Sequence, residues 1–419
     1  MRIAIITESF PPDVNGVAHS VLRVAEHLLR SDHQVLIIAP EPARPVDADP
    51  VPCRVVRVPS MSLPGYPSFR IGLPSRRVRH ELTKFRADAV HLASPVTLGA
   101  YGGTVARSLD LPVVAVYQTD LPAYAREYRL SVATQAFAWR WLRNIHNGAS
   151  RTLAPSTVTA ADLVAHGIER VWLWGRGVDT ERFDPARRSA ALRAELAPGG
   201  ELLAGYVGRL AIEKRVDLLA SVAALPGVRL VLVGGGPAAD ELRKAIPDAI
   251  FLGERHGTEL AEIYASLDVF VHSGPHETFG QTLQEAAASG LPVVAPAAGG
   301  PLDLVGDGET GFLVPPGDGA ALAAAVAKLA ADADLRASFG AAARDRVLGR
   351  SWAALTNQLI GHYEATLSEP TLSEPKGAAL PGLRSEERQR RTTREGSALK
   401  APGGERSAIK SAPGGERSA

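Results

Sequence analysis

Short, almost wholly apolar runs alternate with helical patterns along most of this chain. "RIAIIT" (2–7), "QVLIIAP" (34–40), "DAVHLA" (88–93), "LPVVAVY" (111–117), "TLAPS" (152–156) and "RVWLWG" (170–175) form a first series. Between the first two, Val17, Val21, Val24 and Leu28 make a helical stripe. A strand with water on one face alternates apolar and polar residues; one covered by helices on both faces does not. The runs therefore predict a parallel sheet in a βαβα chain. A second series starts near residue 201 with "LLAGYVG" (202–208), "VRLVLVGGG" (228–236), "AIFLGE" (249–254), "DVFVHSG" (268–274) and "LPVVAP" (291–296). The expected architecture is α/β: two doubly wound halves that meet at about 185–200. Ligands of such sheets sit at the carboxyl ends of strands, and here also between the halves. The proline-rich "PEPARPVDADPVP" (40–52) reads as an exposed connection.

The remaining composition narrows the class. A chain of 419 residues has room for two domains of ordinary size. A net charge of +1 gives no global field for nucleic acid. The single cysteine, Cys53, excludes an internal disulfide framework and suits a reducing compartment. No apolar run approaches the ~20 residues of a spanning helix, so any membrane contact is expected to be peripheral. From residue 368 the sequence turns repetitive: "TLSEP" occurs twice, and "APGGERSA" recurs at 401–408 and 412–419. With 10 Lys/Arg against 7 Asp/Glu and little to bury, 368–419 is expected to be a disordered tail. "DAD" occurs at 47–49 and 332–334, in a linker and a surface region, and no metal site is expected.

"HETFGQTLQEAAASGLPVVAP" (276–296) carries two glutamates, Glu277 and Glu285, eight positions apart. Pro275 and Gly280 put Glu277 in a loop; "QTLQEAAAS" reads as a helix ended by Gly290 and Pro292. Eight helical positions span about 12 Å. Glycosidase carboxyl pairs sit ~5–9.5 Å apart, so an acid/base pair fits poorly. The alternative is one long polar ligand along the helix start. There Gly280, Gln281 and Thr282 would offer backbone N–H groups to a diphosphate, with a carboxylate for hydroxyls at either end. A capped amphipathic helix with two exposed glutamates stands beside that reading. "VGRLAIEKRVD" (207–217) adds Arg209 and Lys214 after a strand end, a cradle for negative charge. "ESFPPDVNGVAHSV" places Asn15-Gly16 at a helix start. No P-loop or dinucleotide fingerprint occurs.

Together these residues resemble the retaining glycosyltransferases of family 4. The likeness runs from residue 1 to about 367. It rests on Glu277-x7-Glu285 with "GLPVVAPAAGGP", Gly16, "GRL…EK", "GVD…RF" (177–183) and "VGGGP" (233–237). "TESF…NGV", "HLASP", "VAVYQTD", "TLAPS" and "HSGPHETF" liken it most to the actinobacterial GDP-mannose-dependent α-mannosyltransferases acting on lipid acceptors. The resemblance implies the GT-B fold: two Rossmann-like domains facing a central cleft. Residues 1–185 would form an acceptor-side domain completed by a C-terminal helix at 352–367. Residues 186–351 would form the nucleotide-sugar domain.

It further implies that Arg209 and Lys214 neutralise a leaving diphosphate and that Glu277 holds donor-sugar hydroxyls. Gly280, Gln281 and Thr282 would lie near sugar and phosphates, Glu285 would bind the nucleotide ribose, and Gly16 would give its N–H to phosphate. Retention would need no protein nucleophile, because the acceptor hydroxyl attacks the face the diphosphate leaves and a phosphate oxygen takes its proton. Many family members carry a histidine that touches the donor sugar where this chain has Gln118, so the resemblance implies that Gln118 is a donor-binding residue; its amide can hydrogen-bond but carries no proton at neutral pH. Asp120 is the candidate for contacting the acceptor hydroxyl; a cap before Pro122 is its other reading. The implied donor is GDP-mannose and the implied acceptor a lipid or glycolipid, with no metal or other cofactor. The place implied is the cytoplasm, at the inner membrane face. A UDP-sugar with a soluble acceptor, or a scaffold that has lost catalysis, are the competing readings; a scaffold needs none of Arg209, Lys214, Glu277 and Glu285.

Two stretches bear on the acceptor. "PSRRVRHELTKFR" (74–86) reads as a basic helix with a Val78, Leu82, Phe85 stripe, facing either anionic lipid or the core. "AFAWRWLRNIH" (136–146) lines an acceptor groove or, since Trp139 and Trp141 cannot share a helix face, leaves at least one tryptophan partly exposed.

Overall fold

The structure is a computed structural model and describes residues 1–13, 15–43, 49–63, 66–118 and 131–369. Asp120 and residues 370–419 lie outside the described residues. Strands of the first part are β1 (Arg2–Thr7), β2 (Gln34–Pro40), β3 (Arg54–Val58), β4 (Ser60–Leu63), β5 (Tyr66–Gly72), β6 (Ala89–Ala93), β7 (Val113–Val116), β8 (Arg151–Ala154) and β9 (Val171–Leu173). Those of the second are β10 (Leu202–Val207), β11 (Val228–Val233), β12 (Ile250–Gly253), β13 (Val269–Val271), β14 (Val293–Pro296) and β15 (Gly311–Val314). Among the described residues they form two parallel sheets, ordered β3-β2-β1-β6-β7-β8-β9 and β12-β11-β10-β13-β14-β15. An antiparallel hairpin, β4–β5, stands apart. Every strand expected from an apolar run is present. The order reverses once in each sheet, beside β1 and β6 in the first and beside β10 and β13 in the second. Such switch points open a crevice at the carboxyl ends of the strands.

Burial explains the apolar runs. Ile3 and Ile5 of β1 join one cluster with Val24 and Leu28 of the helix Gly16–Arg30. Ala4 and Ile6 join another on the opposite face, with Val78 and Leu82. Alternate side chains of one strand thus enter two cores, so no polar position is left. The helix Trp352–Ser368 returns onto the first sheet, where Leu355, Leu359 and Tyr363 share the Ile3–Ile5 core. Its buried polar groups are paired: Tyr363 Oη lies 2.7 Å from His91 Nδ1, and Trp174 Nε1 donates to the Leu355 carbonyl at 2.8 Å.

The basic helix spans Arg76–Phe85, with Ser75 as its N-cap. Val78 and Leu82 are buried in its own core and Phe85 packs beside them, so the apolar stripe faces the protein. Arg76, Arg77, Arg79, Lys84 and Arg86 are exposed. On the helix Val132–Asn147, Trp141 is exposed and Trp139 stacks on His166 with ring centroids 3.6 Å apart.

Candidate functional site

Apart from Asp120, which lies outside the described residues, the sequence-predicted residues follow β1, β7, β10 and β13. β10 runs out at Val207, and Arg209 and Lys214 follow it, Lys214 on a 3-10 turn, Ile212–Lys214. β13 ends at Val271, and His272 and the Glu277 loop follow. Since β10 and β13 are parallel neighbours, with Ala204 opposite Val269, both loops leave the sheet at the same edge. The Glu277 loop is clamped from behind by the turn after β14. The Gly300 N–H donates to the Glu277 carbonyl at 2.7 Å. A Cβ on Gly299 would stand 2.3 Å from that carbonyl oxygen, and one on Gly300 1.9 Å from that of Phe279. The glycine pair of "APAAGGP" is therefore needed for backbone approach.

Lys214 Nζ donates to Glu277 Oε1. The buried His272 Nε2 lies 3.7 Å from the same oxygen. Burial by itself pushes the Glu277 carboxyl up. The charges of Lys214 and Arg176, the Lys214 hydrogen bond and the neighbouring His272 ring outweigh it and hold the group below the ordinary carboxylate range. Glu277 is thus an ionised acceptor. Burial pushes His272 down to about 4, with Glu277 opposing. Arg209 is more open, with its guanidinium 4.0 Å from Glu213. The sheet edge therefore brings the cations Arg209 and Lys214 together with the carboxylates of Glu213 and Glu277.

Helix Gln281–Ala288 starts at Gly280, whose φ of 99° is left-handed and leaves no side chain for capping. The backbone amides of Gln281 and Thr282 make no hydrogen bond among the described residues. Glu285 sits one turn in and is buried, which corrects the reading of two exposed glutamates. Burial pushes its carboxyl up to about 7, against hydrogen bonds from Tyr264 and Gln281. The Tyr264 hydroxyl donates to Glu285 Oε2 at 3.2 Å.

From the first sheet, Gly16 begins the helix after β1. The Asn15 side chain takes the amides of Val17 and Ala18, each at 3.0 Å, so the Gly16 amide stays outside the cap. Gln118, two residues past β7, is buried, and its Oε1 accepts from Arg176 Nη2 at 2.8 Å. Sequence reasoning missed Arg176, His272 and Tyr264. Only His272 carried a local signal, a polar residue at the end of the apolar run "DVFVHSG". Among the described residues, no group of three or more His, Cys, Asp and Glu is placed to hold a metal ion.

Residues 14–182 match the family model "Glycosyltransferase Family 4", and residues 188–346 match "Glycosyl transferases group 1". The chain is 50% identical over 377 residues to a GDP-mannose-dependent alpha-mannosyltransferase of Mycobacterium tuberculosis, covering 88% of this chain and 98% of that protein. It is 44% identical over 367 residues to a protein of the same description from Corynebacterium glutamicum, covering 87% and 88%. Among solved structures, sucrose-phosphate synthase from Thermosynechococcus elongatus shares the fold. The TM-score is 0.72 at 24% identity, over 88% of this chain and 99% of that one.

Proposed function

Because the chain belongs to the family 4 glycosyltransferases of GT-B fold, we propose that it moves mannose from GDP-mannose to a hydroxyl of a lipid or glycolipid, with retention. The donor is supported by the names of the relatives at 44% to 50% identity. The acceptor class is supported by a 30% identical relative described as a phosphatidylinositol dimannoside mannosyltransferase. The observation that carries the reading is the Lys214–Glu277 pair at the β10/β13 edge, beside the open start of helix Gln281–Ala288.

In this reading the diphosphate lies at the amides of Gly280, Gln281 and Thr282, with Arg209 and Lys214 taking up the charge that grows as the anomeric C–O bond breaks. The Gly16 amide adds a donor from the opposite half. Glu277, ionised and acceptor-only, grips sugar hydroxyls, and Glu285 grips the ribose. The acceptor hydroxyl forms its bond to the anomeric carbon on the face the diphosphate leaves, and its proton passes to a phosphate oxygen. The protein contributes position and charge, not a nucleophile. Asp120 is the proposed acceptor contact. The domain limits proposed are 1–185 with 352–367, and 186–351, supported by the two separate sheets and the return of the last helix. The test is transfer of labelled mannose from GDP-mannose into a membrane-lipid extract, with UDP-glucose as the control donor.

The acceptor reading favours a cytoplasmic protein that touches the inner membrane face. No helix of the described residues is long and apolar enough to cross a membrane. Since the Val78–Leu82 stripe is committed to the core, contact through Arg76–Phe85 rests on charge alone, worth about 1 kcal/mol per basic side chain near an anionic surface. Flotation with phosphatidylserine-containing vesicles is expected to lose most bound protein when Arg76, Arg77 and Lys84 are changed to Glu. Equal flotation of both proteins removes the membrane contact.

A further inference from the structure

Arg176 follows β9, three residues past its end. Its backbone is held from one side: Gln284 Nε2 donates to the Arg176 carbonyl at 2.9 Å, and Gln281 Nε2 to that of Gly177 at 3.1 Å. The guanidinium reaches the other way, and its Nη2 donates to Gln118 Oε1 at 2.8 Å. Gly16 makes the room, since a Cβ there would stand 2.8 Å from Arg176 Nη1. Burial pushes the guanidinium down to about 10, with Glu277 opposing, so it stays charged at neutral pH.

A guanidinium has N–H donors and no acceptor. The atom Gln118 turns toward it must be the amide oxygen, which fixes an orientation that heavy-atom positions alone leave open. With that oxygen turned to Arg176, the opposite end of the amide is its NH2. We infer that Arg176 is a positioning residue that locks the Gln118 amide nitrogen outward, so that Gln118 serves sugar transfer as a hydrogen-bond donor to an oxygen of the hexose. Gln118 then carries no proton, and Arg176 does not itself hold the diphosphate. The inference rests on the GDP-mannose reading above.

Gln118→Glu keeps the acceptor for Arg176 and removes the NH2. It is expected to lower kcat/KM for GDP-mannose at least about thirtyfold while GDP, which lacks the sugar, binds within threefold of wild type. Arg176→Met is expected to lower turnover similarly, again with GDP affinity within threefold. The double variant should be no worse than the poorer single by more than threefold, because both changes disable one donor. Activity of Gln118→Glu within threefold of wild type, additive losses, or a tenfold loss of GDP affinity in Arg176→Met overturns the inference. Thermal melting tests the contact without any donor. Gln118→Glu should raise Tm where Arg176 is present and lower it in the Arg176→Met background; the same fall in both backgrounds overturns the inference. Failure of the wild type to turn over GDP-mannose is a separate result that counts against the donor reading.

Discussion

Lys214→Ala is expected to lower turnover at least about a hundredfold while the protein stays folded. Removing one preorganised donor from a developing charge costs ~2–4 kcal/mol in the barrier, and each 1.36 kcal/mol is about tenfold in rate. Lys214 fits that role: it ends a short 3-10 turn at the sheet edge and reaches the same oxygen of Glu277 that His272 faces. His272 does not replace its charge, because burial pushes the ring down to about 4 and leaves it neutral at pH 7. Arg209→Ala is expected to lose as much, since Arg209 also follows β10 at that edge. The check is the steady-state rate of GDP release, with Tm to verify folding. A rate within tenfold of wild type in either variant removes that residue from the leaving-group site.

Glu277→Gln is the second large effect. The substitution keeps size and shape and removes a charge that the site keeps ionised against burial. An acid catalyst on this loop would be held protonated; this carboxyl is held low, which fits the proposed role of accepting hydrogen bonds from sugar hydroxyls. The expected loss in kcat/KM for GDP-mannose is at least about a hundredfold, some 2.7 kcal/mol. GDP itself should bind equally or more tightly, because a negative charge beside the diphosphate is gone. Unchanged turnover, or GDP affinity falling with the rate, would contradict the role given to Glu277.

The frame was legible because β1, β2, β10 and β11 are buried on both faces and their sequences show it. β3 and β15 were not. "RVVRV" carries arginines because β3 is an edge strand, and "GFLV" is a short edge run indistinguishable from a loop. In the site, Arg209, Lys214, Glu277 and Glu285 stood out as candidates because they lie in or just beside loops with marked spacing and glycine. Arg176 and Tyr264 were not, because their meaning is a contact across the chain: Arg176 with Gln118, 58 residues away, and Tyr264 with Glu285, 21 away. The basic helix shows the opposite lesson. Its apolar stripe is real, but a stripe alone does not say whether it meets lipid or the Ala4–Ile6 core.

The central claim, retaining mannosyl transfer at the Lys214–Glu277 cleft, is tested most directly by the linkage of the transferred sugar. Wild-type protein given labelled GDP-mannose and a membrane-lipid extract is predicted to place label in lipid, with one GDP released per sugar, and α-mannosidase should remove all of it. Label resistant to α-mannosidase, or recovered only as free mannose, would contradict the account.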